Sequence, residues 1–201
     1  MSKPILTLCL ILLTYCAYAQ DGYPEDRTFS GSLVFGANAS QVDGDSYYGY
    51  HKLGLHTGAG VSARFTDEFG AGMELLYTRK GSVGQTIIES PTIGTYVYKY
   101  FMKLNYVEVP FTIHFRYKIV EIEAGISYSR LIKADEWVEA DRPVYIDPIK
   151  NRYNTNDVDY LFGVSRQAYK KLFVNVRYQY AITSIRPADR IPYGFGYGNK
   201  G

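Results

Sequence analysis

Charged and imidazole side chains recur at alternate positions along several stretches of this chain, and this spacing places them on one face of extended strands. Such a set can form a buried network of ion pairs, or it can provide a path for protons or a solute. The set is Lys52, His56, Arg64, Glu74, Lys80, Glu108, His114, Arg116, Glu121, Glu123, Lys133, Asp159 and Arg177. Because charges in a narrow interior must pair to offset desolvation, a structural network is favoured. Within it we expect Arg116 or Arg64 to pair with Glu108.

Two histidines of this set, His56 and His114, could be imagined with Glu108 as a metal or acid–base site. They fall on different strands without the spacing of known ligand sets, so we predict no metal and no cofactor. Nucleophilic catalysis would need an inward serine beside a histidine that a carboxylate holds. The inward serines, which alternate with glycine as interior packing does, are Ser62, Ser127 and Ser165. We therefore predict no catalytic residue, and a small lipid-modifying membrane enzyme is the alternative.

The segment 52–66 indicates which element carries these side chains. One alternating half has no charge from Leu53 to Phe65, whereas the other mixes charged residues with glycine. The segment is longer than the ~9–11 residues with which a tilted strand crosses a bilayer. An apolar outer half and a small, polar inner half predict a transmembrane β-barrel. A soluble lipocalin-like carrier would need an apolar interior and a polar exterior, which is the reverse.

The same alternation predicts seven strands, at 28–40, 52–66, 69–81, 95–117, 119–134, 157–169 and 172–182. Pro110 cannot donate a ladder hydrogen bond and predicts a bulge. The connections alternate between long (41–51, 82–94, 135–156) and short, as in outer-membrane barrels with long external loops and short periplasmic turns. The predicted fold is all-β, an antiparallel up-and-down transmembrane barrel.

Seven strands leave such a barrel one strand short, because single-chain bacterial barrels have even strand numbers. The sequence ends at Gly201 without a final strand after the aromatic and glycine residues of 193–197. We therefore expect a truncated sequence whose native form continues for roughly 10–20 residues as an eighth strand. Strand 1 and strand 7 should then lie as edges that do not pair with each other.

The first 19 residues have the features of a secretory signal: Lys3, an apolar stretch from Ile5 to Thr14, and small residues at Ala17 and Ala19. We expect cleavage after Ala19 and one barrel domain over 20–201. Both cysteines lie inside the signal, so the exported domain has no disulfide. The formal net charge of +2 gives no reason to expect a nucleic acid partner.

Three cations fall on the outward half of their strands near the external ends: Arg79, Lys103 and Arg130. Long basic side chains at such positions can extend along apolar surface to keep their charge in water. They can also contact the phosphates of lipopolysaccharide, a role that suits Arg and Lys. Both interpretations stay open.

Five motifs extend along nearly the whole chain after residue 19. They are G-A-N at 36–38, M-E-L-L-Y-T-R-K-G at 73–81, L-N-Y-V-E-V-P-F at 104–111, E-A-G-I-S-Y-S at 123–129 and V-R-Y-Q-Y at 176–180. With them the chain resembles the PorT-type outer-membrane β-barrel proteins of Gram-negative bacteria. The resemblance implies an eight-stranded barrel in the outer membrane, and the family's namesake is linked to the export of cell-surface proteins.

The sequence therefore predicts a monomeric, non-enzymatic barrel in the outer membrane. Its expected role is structural, in assembly, or in binding a ligand or partner through the external loops. The expected partners are outer-membrane lipid with lipopolysaccharide, and a secretion component or a surface protein.

Overall fold

The structure, a computed structural model, describes residues 28–41, 52–90, 94–140 and 151–190. The predicted signal and its cleavage site lie outside these residues, as does most of the first long loop. Within the described ranges, no helix has the length and apolar character to cross a membrane.

Among the described residues, seven antiparallel strands form one sheet in chain order, which confirms the predicted all-β, up-and-down fold. Their bounds are β1 Phe29–Ser40, β2 Lys52–Arg64, β3 Phe69–Ser90, β4 Gly94–Tyr117, β5 Val120–Ala140, β6 Asn156–Tyr169 and β7 Leu172–Ala181. A single turn of 3-10 helix, Ala188–Arg190, follows β7. The sheet is curled, so that one face is concave and the other convex.

Alternation of side chains assigns the two faces of the sheet, as period-2 geometry requires. On the convex face, Leu33 and Phe35 are 84% and 85% exposed. On the concave face, Glu108 and Asp159 are fully buried. Apolar residues outside and charged residues inside are the arrangement of a membrane barrel, because its solvent is lipid.

Three short turns connect strands at one end of the sheet. In the first, the Thr66 hydroxyl accepts hydrogen bonds from the backbone N–H groups of Glu68 and Phe69 at 3.3 and 2.9 Å. Each of the other two is a two-residue turn whose first residue has positive φ, 54° at Lys118 and 40° at Lys170. In outer-membrane barrels short turns lie on the periplasmic side, so we call this the periplasmic end of the sheet and the opposite end the external end.

Two predicted loops are wrong in part, because strands continue through them. β3 extends to Ser90 and pairs with β4 up to Gly94, and β5 extends to Ala140. The extensions are rich in β-branched and aromatic residues, which favour strands wherever a neighbour is available. β3, β4 and β5 therefore rise well beyond the length that a bilayer requires.

The predicted bulge at Pro110 is also wrong. Pairing of β3 with β4 keeps one register on both sides of Pro110, from Met73 with Phe111 to Leu76 with Glu108. The register shifts instead between β4 and β5, where Asn105 pairs with Lys133 but Tyr106 pairs with Leu131. Ile132 is the extra residue of this bulge.

β1 and β7 are the two edges of the sheet. Each strand pairs with the next one in chain order, and no hydrogen-bonded ladder joins β1 to β7 within the part of the chain that the structure describes. This agrees with the expectation that strands 1 and 7 do not pair with each other.

Candidate functional site

The concave face carries its charges in three layers, and the middle layer is centred on Arg177 of β7. Arg177 makes paired contacts with Glu74 of β3, at 2.7 and 3.2 Å, and with Glu123 of β5, at 2.8 and 3.2 Å. The Asn175 amide also donates to Glu123, at 3.0 Å. Arg177 reaches Glu123 over Gly163 of β6, where a Cβ would overlap the Glu123 carboxylate. One guanidinium therefore compensates two carboxylates from different strands.

The layer on the external side of Arg177 is centred on Lys80. Its ammonium group lies 2.7 Å from Glu108 and 3.2 Å from Asp159, and both carboxylates are fully buried. Thr78 donates a hydrogen bond to Glu108 at 3.0 Å, and Gln179 and Ser129 bind Asp159. The expectation that Arg116 or Arg64 pairs with Glu108 is therefore wrong.

Lys80 takes this position because it lies on β3, which pairs directly with the Glu108 strand. Leu76 is the register partner of Glu108, and Lys80 lies four residues farther toward the external end of the same face. Its side chain is long enough to turn back toward the carboxylate. His56 lies beside this layer, where Nδ1 is 3.0 Å from the Thr78 hydroxyl.

The layer nearest the periplasmic turns contains a chain of polar groups. The Thr112 hydroxyl lies 2.7 Å from Nε2 of His114, and Nδ1 of the same ring lies 3.0 Å from Glu121. Arg116 binds the other oxygen of Glu121 at 3.0 Å. Gly72 leaves room for this chain, since a Cβ there would lie 2.7 Å from Nε2 of His114.

Three residues of the predicted interior set lie outside these layers. Lys52 lies at the external end of β2, where burial and the nearby cations Lys103 and Arg79 lower its pKa. Arg64 lies exposed at the periplasmic end of the same strand. Lys133 was predicted to point inward, and this is wrong: the extra residue at Ile132 turns it outward, where it is 64% exposed and pairs with Asp135 at 2.9 Å.

Above the charged layers, the interior changes from polar to apolar, a change that the sequence prediction missed. The buried core of this region consists of Tyr100, Met102, Leu104, Tyr106, Tyr153 and Ile185, with Leu131 and Val138 packed against it. We call this group the external core. Its signal in the sequence is the inward half of β4, which has no charge at positions 100–106 and regains one at Glu108.

An ion pair fixes the external core to the segments that precede β6 and follow β7. Arg186 is fully buried and binds Glu136 of β5 through two nitrogens, at 3.1 and 2.5 Å. Its guanidinium also lies 3.9 Å from the centre of the Tyr153 ring, and Tyr100 donates a hydrogen bond to Glu136. Burial disfavours the charge of Arg186, but the hydrogen bonds with Glu136 hold its pKa above the ordinary value. Burial disfavours the ionised form of Tyr153 and therefore raises its pKa.

Comparison with known families agrees with this architecture. A family model described as outer membrane protein beta-barrel domain matches residues 18–186, which include all seven strands. The chain belongs to this family. Searches of the curated proteins and of the solved structures each gave no significant match.

As an integral outer-membrane barrel, the protein presents its convex face to lipid. The three cations predicted at the external rim lie on this face. Arg79 donates to the Tyr77 hydroxyl at 3.2 Å and lies over the Tyr77 ring. Lys103 lies 4.6 Å from the centre of the Trp137 ring, which stacks on Phe101. Arg130 is exposed on the neighbouring strand β5.

The chemistry available to the barrel follows from these groups. The described residues contain no group of three or more His, Cys, Asp or Glu side chains that could hold a metal ion. The charges of the Lys80 layer and of the Arg177 layer are already paired with each other. Among the described residues, the Thr112–His114–Glu121 chain is an arrangement that could activate a hydroxyl. The external core lies on the concave face beyond the Lys80 layer.

Proposed function

We propose that this outer-membrane barrel is non-enzymatic and monomeric, and that it acts in binding or assembly through the part of the chain above the outer leaflet. The observation that carries the proposal is the external core, which packs on the extensions of β4 and β5 beyond the length that a bilayer requires. A barrel that only spanned the bilayer would not need these extensions, because ~9–11 residues per strand suffice.

The interior supports a structural role for the lumen. Lys80 and Arg177 each bind two carboxylates, so their charges are engaged and the ions hold strands together. A solute path would need polar groups that exchange partners with the solute.

Hydrogen bonds outside the sheet also favour an external binding surface. Asn154 donates to the carbonyl groups of Ile185 and Ser184, at 2.8 and 2.7 Å, and thereby joins the segment before β6 to the segment after β7. An ordered surface binds a partner at a lower entropic cost than free loops do. The resemblance to PorT-type proteins supports a secretion component as the partner, after export directed by a signal cleaved at Ala19.

Site-specific crosslinking in native outer membranes tests the proposal. A photoreactive residue at the exposed Lys99 of β4 should capture a partner, whereas the same residue at Lys118, in a periplasmic turn, serves as the matched control. Capture from position 118 alone would place assembly on the periplasmic side. Absence of any crosslink at position 99 and at other external sites would refute the binding role.

A lipid-modifying enzyme is the second candidate, and the Thr112–His114–Glu121 chain favours it. A hydroxyl, an imidazole and a carboxylate in this order can activate the hydroxyl for attack on an ester. Against this candidate, the backbone N–H groups around Thr112 are engaged in the sheet ladder, so they are not available to stabilise an oxyanion. Arg116 also neutralises the same carboxylate.

Labelling with an alkyl fluorophosphonate separates the two candidates. An enzyme of this kind would form an adduct at Thr112, and Thr112→Val would abolish it while His114→Gln would slow it. We expect no adduct with the purified barrel in lipid. Stoichiometric labelling that Thr112→Val removes would overturn the non-enzymatic proposal.

A further inference from the structure

The convex face carries a cluster of cations at the external rim that is larger than the sequence indicated. The register places Tyr77, Val107 and Arg130 in one row across β3, β4 and β5. The next row toward the outside contains Arg79, Asn105 and Lys133, and the row beyond contains Gly81, Lys103 and Asp135. We define the rim cluster as Arg79, Lys103, Arg130 and Lys133. Lys133 joins it only because the bulge at Ile132 reverses the face of the rest of β5.

The positive charge of the rim cluster exceeds the negative charge of the residues that surround it in these rows. Asp135 is the carboxylate in these three rows of the described sheet, and it pairs with Lys133 at 2.9 Å while both side chains stay exposed. Among the described residues, Arg79 and Lys103 contact aromatic rings rather than carboxylates. Four cations on three adjacent strands with one anion leave a local charge of about +3 on a surface that faces lipid headgroups.

The depth of the rim cluster in the membrane follows from the strand geometry. Val107, in the lowest row of the cluster, lies ten residues from Tyr117 at the periplasmic end of β4. At ~3.3 Å per residue and a tilt near 40°, this segment spans roughly 25 Å, the height of the apolar band of such barrels. The cluster therefore lies where the apolar acyl chains end and the polar headgroups of the outer leaflet begin.

We propose that the rim cluster binds a phosphate group on an anionic glycolipid of the outer leaflet, such as the phosphates of lipopolysaccharide. The proposal rests on the outer-membrane barrel and goes beyond the binding role of the external surface. Two guanidinium groups offer planar forks for phosphate oxygens, and the two ammonium groups add point charges beside them. The rings of Tyr77 and Trp137 hold Arg79 and Lys103 against the sheet, so their charges stay at the rim instead of extending into water.

The variant that tests the site replaces all four cations by glutamine: Arg79→Gln, Lys103→Gln, Arg130→Gln and Lys133→Gln. The matched control replaces four periplasmic cations: Lys118→Gln, Arg166→Gln, Lys170→Gln and Lys171→Gln. Each variant loses the same charge, and both sets lie away from the interior layers. Retention of the heat-modifiable gel shift establishes that each variant is folded.

Binding is measured in detergent by native mass spectrometry with lipopolysaccharide, with its enzymatically dephosphorylated form, and with inorganic phosphate. We expect the wild type and the control to retain lipopolysaccharide and the rim variant to bind it at least about tenfold more weakly. Dephosphorylated lipid should bind weakly to all three proteins.

Equal retention by the rim variant, equal loss by the control, or no dependence on the phosphates would overturn the proposal. Binding of inorganic phosphate with the same affinity as lipopolysaccharide would assign the site to free anions. That result would also overturn the proposal of a glycolipid ligand. Crosslinking at Lys99 reports on the protein partner separately, so each proposal can fail alone.

Discussion

Arg177 on β7 lies 2.7 Å from Glu74 on β3, although 103 residues separate them in the chain. The two strands are four places apart in the sheet, so this contact crosses the concave face. With Glu123 on β5, the same guanidinium joins three strands of the sheet. Arg177 therefore fixes the curvature of the sheet as well as the balance of charge in its interior.

Replacement of Arg177 should destabilise the barrel strongly. Arg177→Met leaves Glu74 and Glu123 in the interior without their cation, and loss of one partner from a buried pair costs about 3–5 kcal/mol. The measurement is the free energy of unfolding in urea with the protein in lipid vesicles. Arg166→Met, on the exposed face of β6, is the control and should change this free energy little. Equal stability of the two variants would show that the contact across the concave face contributes nothing.

Lys80 and Glu108 should differ in the effect of their removal. Lys80→Met leaves two buried carboxylates without a cation, whereas Glu108→Gln leaves Lys80 still paired with Asp159. Lys80→Met should therefore cost more, within about 3–5 kcal/mol for an uncompensated buried charge. The double variant should recover part of the loss, because the two groups interact. Strict additivity in this double-mutant cycle would contradict a coupled pair.

The depth of the strands in the bilayer can be tested with two residues of one strand. Ile126 and Ile132 of β5 are 57% and 60% exposed, but Ile126 lies in the middle of the apolar band and Ile132 lies at the rim. Ile126→Arg should cost about 2–4 kcal/mol, and Ile132→Arg about 0–1 kcal/mol. Unfolding in lipid vesicles measures both changes. If both variants lose the same stability, the assigned depth of these residues is wrong.

The external core should depend on Arg186. Arg186→Met removes the guanidinium that binds Glu136 and leaves this carboxylate among apolar side chains. We expect faster proteolytic cleavage within 151–190 on intact cells, while the heat-modifiable gel shift is retained. Glu136→Gln should have a comparable effect, because it leaves the fully buried Arg186 without its carboxylate partner. Loss of the gel shift in Arg186→Met would show instead that the external core is needed for the barrel itself.

The sequence predicted the strands within the membrane, because lipid outside and charge inside impose a strict period of two. The alternation of apolar and polar residues in 52–66 and 107–117 follows from this requirement. Outside the membrane both faces of a strand meet water or protein, the requirement relaxes, and the extensions to Ser90 and Ala140 looked like loops. The bulge at Ile132 was not predictable either, since one extra residue leaves the composition unchanged while it reverses the face of Lys133.

The partners within the interior were harder to predict than its members. Glu108 was expected to bind a cation, but the choice of Lys80 depends on the stagger of neighbouring strands, which a single sequence does not show. Arg186 and Tyr153 were missed because they lie in irregular segments, where no periodicity marks a buried residue. Their buried contacts became visible only with the positions of β4 and β5.

The separation of Arg177 from Glu74 also bears on the order of folding. Contacts between residues far apart in the chain carry a high loop-closure entropy and form late. Until β7 is in place, Glu74 and Glu123 have no guanidinium, so a barrel assembled from fewer strands would carry unbalanced negative charge in its interior. That charge opposes insertion into hydrocarbon. The Arg177 contacts thus give the barrel a means of favouring membrane insertion of the assembled sheet over that of its fragments.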